Sequence, residues 1–408
     1  MNNRKVKTIV ILMSGIFLFS SCSTLIDGVR EINYMLKYMR LEKKTTTTYF
    51  YQTQRFLYDD AIYFPCIVNG MEDTLFFDTG GMGKIMERVN NDTVLKIRPI
   101  RKVRFKTATN TIEQKSGMSI LNITTPWQKS EKLIGEILYN NVFDAPACMG
   151  ESSKLNKKMA SMDFMTAKNQ TLLINFSDTT LTLLDSNMVY DTTDYIRLNA
   201  YFKLAKKYPI VRLNIDDTIY DFYFDTGSNA NLILGDSEMI AKENDRILFG
   251  YIGKNISGNI YDSVICRMST VKMDNEYSCQ EEIMHIKSFN HNNMGMQFIS
   301  HYDWILDRNN SKIYAKLIRP HDTDKISDGT TFYKVDVMEG RLEIVTHRLG
   351  QDSLLPIGTV VKSVGGVAIT SENICEYKDI VNKMLNKDGK WWVLDIVFEE
   401  KNEAIFEF

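Results

Sequence analysis

Phe77-Asp78-Thr79-Gly80 recurs as Phe224-Asp225-Thr226-Gly227, which sets Asp78 and Asp225 147 positions apart in a chain of 408 residues. An Asp-Thr-Gly triplet alone carries little information, since about 0.1 copies are expected by chance in a chain this long. The flanks are what lift it. At the same offset Ile62 to Phe77 lies over Pro209 to Phe224 without a gap, and the turn pair Asn69-Gly70 falls on Asp216-Asp217. Each copy therefore reads as strand, tight turn, strand and acidic loop.

A second match extends the repeat. Met162-Asp163-Phe164 aligns with Met296-Gln297-Phe298, and a strand pair follows each: Leu172 to Leu184, and Trp304 to Leu317. The shorter offset here is explained by a polar insertion, Glu151 to Lys158, in the first copy. A repeat this long indicates a duplicated half-structure, because solenoid periods run about 20 to 50 residues. Short β-branched and aromatic runs such as Val103 to Thr107, Met118 to Ile123 and Leu172 to Phe176 predict a mainly β fold.

The two copies resemble the halves of a retropepsin-like (pepsin/retropepsin type) aspartic peptidase fused in one chain. The resemblance rests on the apolar strand, the Asp-Thr-Gly loop and a later apolar-Gly segment, Asn293-Met294-Gly295, that would cross beside the loop. It implies two pseudo-symmetric acid-protease half-barrel lobes, at 50–187 and 188–318. It also implies peptide-bond hydrolysis by a water held between Asp78 and Asp225. Two carboxylates within hydrogen-bonding reach cannot both ionise, so they share one proton and act as acid and base together. In the family the threonines, here Thr79 and Thr226, reach across to the opposite backbone, and the third-position glycines, Gly80 and Gly227, let each loop bend tightly. Gly295 would support the second loop, and the Ser228 hydroxyl would bond the outer oxygen of Asp225.

The first copy departs from this pattern. Gly81 stands where Ser228 does, and Ala160-Ser161 replaces the apolar-Gly pair, so a less well-supported Asp78 is expected. That keeps a second function open: a catalytically inactive, peptide-binding lipoprotein that captures extended segments in the same cleft and in a groove of a PDZ-like C-terminal module. A third is a structural envelope component with the same fold. The hairpins Lys106 to Ser116 and Gly250 to Tyr261 are the candidate flaps.

Met1 to Lys7 carries Arg4, Lys5 and Lys7, and a mostly apolar run from Thr8 to Phe19 follows, too short to span a bilayer. Leu18-Phe19-Ser20-Ser21-Cys22 resembles the lipobox of bacterial lipoproteins, with Phe19 a departure. This implies a signal peptide at 1–21, lipidation of Cys22 and a tether at 22–49 in which Thr45 to Thr48 is a spacer. Ser23 favours the outer membrane of a bacterial cell envelope. A plain signal peptide that happens to contain a cysteine is the alternative.

Residues 331–408 form a small α+β unit that resembles a PDZ domain, through Leu355 to Gly366 with its Gly-Gly turn and a helix over Asn373 to Leu385. Such a module takes an extended or C-terminal peptide at a sheet edge; a packing module that binds nothing is the alternative. Tyr190 to Lys207 and Arg319 to Thr330 read as linkers.

Other chemistries are disfavoured. Lysine plus arginine (49) nearly balances aspartate plus glutamate (51), so no field for nucleic acid is implied. Five cysteines would remain after cleavage, Cys66, Cys148, Cys266, Cys279 and Cys375, an odd number for an oxidising compartment. Cys266 and Cys279 could bridge a hairpin, although buried free thiols fit most of the set better. No ligand spacing suggests a metal, and no cofactor is implied. Gly80-Gly81-Met82-Gly83-Lys84 lacks the Ser or Thr of a phosphate loop.

Overall fold

The computed structural model describes residues 36–81, 83–89, 97–106, 111–139, 158–203, 207–235, 240–255, 258–274, 277–320, 333–348, 355–385 and 396–399, with residues 29, 32, 33 and 109. The leader, Cys22, residues 151–157 of the insertion and residues 321–330 of the second linker lie outside them. The chain is mainly β, and its described residues form sheets of nine, six and thirteen strands.

The duplicated sequence folds the same way twice. Ile62–Val68 and Met71–Asp78 form an antiparallel hairpin whose turn residues, Asn69 and Gly70, both take positive φ (51° and 86°). Tyr208–Ile215 and Thr218–Phe224 repeat it through Asp216 and Asp217 (47° and 66°). Two successive left-handed residues match the right-handed twist of the flanking strands, which suits Asn, Asp and Gly at these positions.

A short crossing strand then lies parallel to the second strand of each hairpin. Lys158–Ser161 runs beside Met71–Asp78 with Ala160 at Phe77, and Asn292–Met294 runs beside Thr218–Phe224 with Met294 at Phe224. On their other sides these crossing strands pair antiparallel with Ile85–Val89 and Leu232–Leu234. The registers keep both sequence offsets, so the repeat extends to backbone pairing.

The copies meet in the six-stranded sheet. Thr171–Asn175 pairs antiparallel with Tyr302–Asp307, and Leu172 lies opposite Leu306, its own counterpart in the repeat. Thr180–Leu184 and Lys312–Leu317 flank the pair, and Thr53–Arg55 and Ile196–Arg197 form the edges. One buried apolar cluster runs through both copies, from Phe64, Phe77 and Trp127 to Phe224, Phe298 and Trp304.

Two of the segments read as connectors, the end of the tether and Tyr190 to Lys207, are built into sheets. Thr46–Tyr49 pairs with Gln128–Tyr139, so the threonine run is a strand and not a spacer; β-branched residues favour that state. Residues 36–42 are helical, and Tyr38 and Leu41 pack on Met118 and Ile134. Tyr190 to Lys207 supplies Ile196–Arg197 to the six-stranded sheet and Ala200–Lys203 to the hairpin strand Tyr208–Ile215.

The C-terminal unit has its own core, with Val335, Ile344 and Val361 packed with Val381 of the helix Ile374–Leu385. It is nevertheless continuous with the second copy. Arg341–Arg348 pairs with Arg246–Asn255 at Leu248 to Gly250, Thr346 against Gly250, so the outer edge is covered at the base of the Gly250 to Tyr261 hairpin. Gly250 has φ +129°, and a Cβ there would stand 2.1 Å from the Val345 carbonyl oxygen. The first-copy hairpin is Ile97–Lys106 with Thr111–Thr124.

Cys66, Cys266 and Cys279 are free, so no bridge joins Cys266 to Cys279, and Cys375 is disulfide-bonded. Burial pushes the Cys66 and Cys266 thiols up to about 12, which makes them inert packing groups.

Candidate active site

Each acidic loop emerges where a hairpin strand ends against its crossing strand. The backbone N–H of Asp225 donates to the Met294 carbonyl at 2.9 Å, and the turns close alike, Gly81 N to Asp78 O and Ser228 N to Asp225 O, both at 3.2 Å.

The loops interlock through their threonines, which are buried (Thr79 1% exposed, Thr226 0%). Thr79 N donates to Thr226 Oγ1, and Thr226 N donates to Thr79 Oγ1, each at 3.0 Å. Each hydroxyl in turn donates to the opposite strand's last apolar residue, Thr226 Oγ1 to Phe77 O at 2.9 Å and Thr79 Oγ1 to Phe224 O. Buried N–H and C=O groups at both loop bases are thereby satisfied, and neither loop can shift without the other.

The carboxylates face across this lock. A Cβ on Gly80 would stand 2.7 Å from Asp225 Cγ, and one on Gly227 would stand 2.4 Å from Asp78 Cγ. Each glycine is therefore required by the opposite aspartate, since any side chain would displace a carboxylate. Asp78 and Asp225 are both half-buried.

Asp225 is held from two sides. Its Oδ1 accepts the Gly227 N–H at 2.9 Å, and its Oδ2 accepts Asn293 Nδ2 at 2.7 Å. The amide takes the place expected for Ser228, whose hydroxyl instead accepts the Ala230 N–H at 3.4 Å. Ser228 still supports the loop through its carbonyl, which accepts the Met296 N–H at 2.7 Å. The sequence places Asn293 in the crossing segment without this role, because the position is of apolar type; a polar residue there is the signal for it.

The first loop replaces the glycine missing from its crossing segment by a different pairing. Gly295 N donates to Asn231 O at 2.9 Å, and its counterpart Ser161 N donates to Lys84 O at 3.0 Å. A Cβ on Gly295 would meet the Ala230 carbonyl at 2.4 Å. In the first copy the matching loop residue is Gly83, with φ +74°, and Ser161 Oγ donates to its carbonyl. Copy one thus uses a glycine in the loop and a serine in the crossing strand, while copy two uses alanine and glycine.

Tyr208 lies close enough to Asp78 for their charges to interact. Burial raises its pKa most, and the charges of Asp163 and Asp78 add. Asp163 itself accepts Arg308 Nη2 at 2.7 Å and has Lys207 at 3.4 Å. Among the described residues no group of three metal-ligating side chains occurs, and no helix is long and apolar enough to cross a membrane.

No family model matches this chain, and no curated protein matches it. Among solved structures it is similar to the basic 7S globulin of soybean, at 10% identity over 67% of this chain and 94% of that chain, with a TM-score of 0.38. That degree of likeness carries no argument about activity or ligand.

Proposed function

We propose that this chain is an aspartic endopeptidase of two pseudo-symmetric lobes, 50–187 and 188–318, followed by a PDZ-like module at 331–408. The observation that carries the reading is the reciprocal placement of the two carboxylates, each against the glycine of the other loop, over the Thr79 and Thr226 lock. Such a pair shares one proton. The ionised member takes a proton from a water between them, the protonated member polarises the scissile carbonyl, and water adds without a covalent intermediate. Asp78 and Asp225 are the catalytic residues in this reading, and the substrate is an extended peptide or unfolded protein. Tethering through a lipid on Cys22 at a bacterial outer membrane belongs to the same proposal.

A second reading, a peptide-binding protein without catalysis, draws on Met159. It stands in the first crossing strand where Asn293 stands in the second, so the two carboxylates have unlike surroundings. The PDZ-like groove favours neither. There the Asn382 amide donates to Val335 O at 3.0 Å and accepts the Val335 N–H at 2.8 Å, occupying the groups that an added strand would use.

Incubating denatured protein with the parent chain and with Asp225→Asn separates the two readings. Fragments from the parent and none from the variant support hydrolysis. Absence of cleavage by the parent at every pH from about 4 to about 7.5 overturns it.

A further inference from the structure

The repeat relates Asn293 to Met159, because Asn293 pairs with Tyr223 as Met159 pairs with Phe76. Asn293 is 2% exposed and gives its amide N–H to Asp225 Oδ2 at 2.7 Å. A thioether has no N–H to give. The Met159 methyl instead lies over Gly81, where a Cβ would stand 2.8 Å from it and 3.2 Å from Asp78 Cγ. One crossing position therefore brings an amide donor to one carboxylate and, in the other copy, a methyl group against the Gly81 turn that follows Asp78.

We propose, resting on the peptidase reading, that Asn293 is a positioning residue that makes Asp225 the ionised member of the pair and leaves the shared proton on Asp78. A hydrogen bond given to a carboxylate favours its charged form, and a bias on one member of a coupled pair decides where the proton sits. A bond to a charged group biases that choice about tenfold to a hundredfold. Asp225 then takes a proton from the water as its oxygen bonds to the scissile carbon, and the Asp78 proton passes to the carbonyl oxygen. The product of the step is a gem-diol, and the pair ends with its proton on Asp225. No other reactant is needed.

Among the described residues, the titratable groups near the pair are engaged in other ways. Tyr208, at the start of the strand Tyr208–Ile215, is near enough for Asp78 to raise its pKa, but burial is the main cause that keeps it neutral. Asp163 is engaged by Arg308 and Lys207. On the flank of the second crossing strand, the Tyr223 and His291 rings pack on each other at 4.6 Å.

Two measurements test the assignment. The first is the pH profile of peptide cleavage for the parent, Asn293→Leu and Met159→Asn. Asn293 stabilises the singly ionised pair, so Asn293→Leu should raise the acid limb by about one pH unit, lower kcat about tenfold and leave KM little changed. Met159→Asn adds a donor on the Asp78 side and should lower the basic limb while leaving the acid limb in place. A purely structural role for Asn293 would reduce activity at all pH without moving either limb. Unmoved limbs in Asn293→Leu, or an acid-limb shift in Met159→Asn, overturn the proposal.

The second measurement is the titration of ¹³C-labelled aspartate carboxyls, assigned with Asp78→Asn and Asp225→Asn, which needs no catalysis. Asp225 ionising before Asp78 supports the assignment, and the reverse order overturns it. A parent without peptidase activity would sink the peptidase reading, while the order of ionisation still decides the proton's place.

Discussion

The guanidinium of Arg308, with no exposed surface, donates to Asp163 Oδ1 at 2.7 Å and so ties the second copy to the first beside the acidic loops. Its other nitrogen, Nη1, donates to the Thr166 carbonyl and hydroxyl, and to Met162 O at 3.3 Å. Removing one partner of a buried pair leaves the other charge poorly solvated. Arg308→Met should therefore cost about 3 kcal/mol, the low end of such losses because Lys207 still reaches Asp163. Urea unfolding measures it, and Arg308→Met/Asp163→Asn should recover part of the loss. An unchanged midpoint would show that the pair is not a joint between the copies.

The threonine lock makes a separable prediction. Thr226→Ala removes a donor to Phe77 O and an acceptor for Thr79 N at once, and should cost about 1–3 kcal/mol. Thr226→Ser keeps the hydroxyl and should restore most of the stability and activity. Equal behaviour of the Ala and Ser variants in thermal unfolding would contradict the geometry.

Asp307 gives a pH dependence of stability. Burial opposes its ionisation, yet hydrogen bonds from Asn310 and Tyr190 outweigh that and hold its carboxyl below the ordinary range. A depressed folded pKa adds stability that is present above the unfolded value, about 3.9, and is lost as pH falls through the folded value. The unfolding free energy should thus decline below about pH 4 with a contribution that Asp307→Asn removes. Parallel curves for parent and variant across that window would refute it.

The C-terminal unit should restrain the second hairpin. Gly250→Val places a side chain against the Val345 carbonyl in a left-handed backbone region, and should prise Arg341–Arg348 from Arg246–Asn255. Hydrogen exchange should then speed up at the amides of the Leu248 to Gly250 pairing while the strands under Phe77 and Phe224 keep their protection. Unchanged exchange along the hairpin would mean that this pairing contributes nothing to its order.

The duplicated hairpins and both crossing segments were legible in the sequence because turn residues and apolar runs recur at fixed offsets. The pairing of Ser161 with Gly83 was not, since it depends on which carbonyl a side chain meets across the loop. Asn293 escaped for a related reason. Its role follows from a parallel register that no local pattern encodes. The strands Thr46–Tyr49 and Ile196–Arg197 were read as connectors because short edge strands gain their order from distant partners, residues 128–131 and 314–315 respectively.

The central claim is that Asp78 and Asp225 act as one proton-sharing pair, and the pH dependence of kcat/KM for a peptide substrate addresses it most directly. The account predicts a profile that falls on both sides of an optimum, and its collapse to background in both Asp78→Asn and Asp225→Asn. A flat profile, or cleavage retained by either variant, would contradict it.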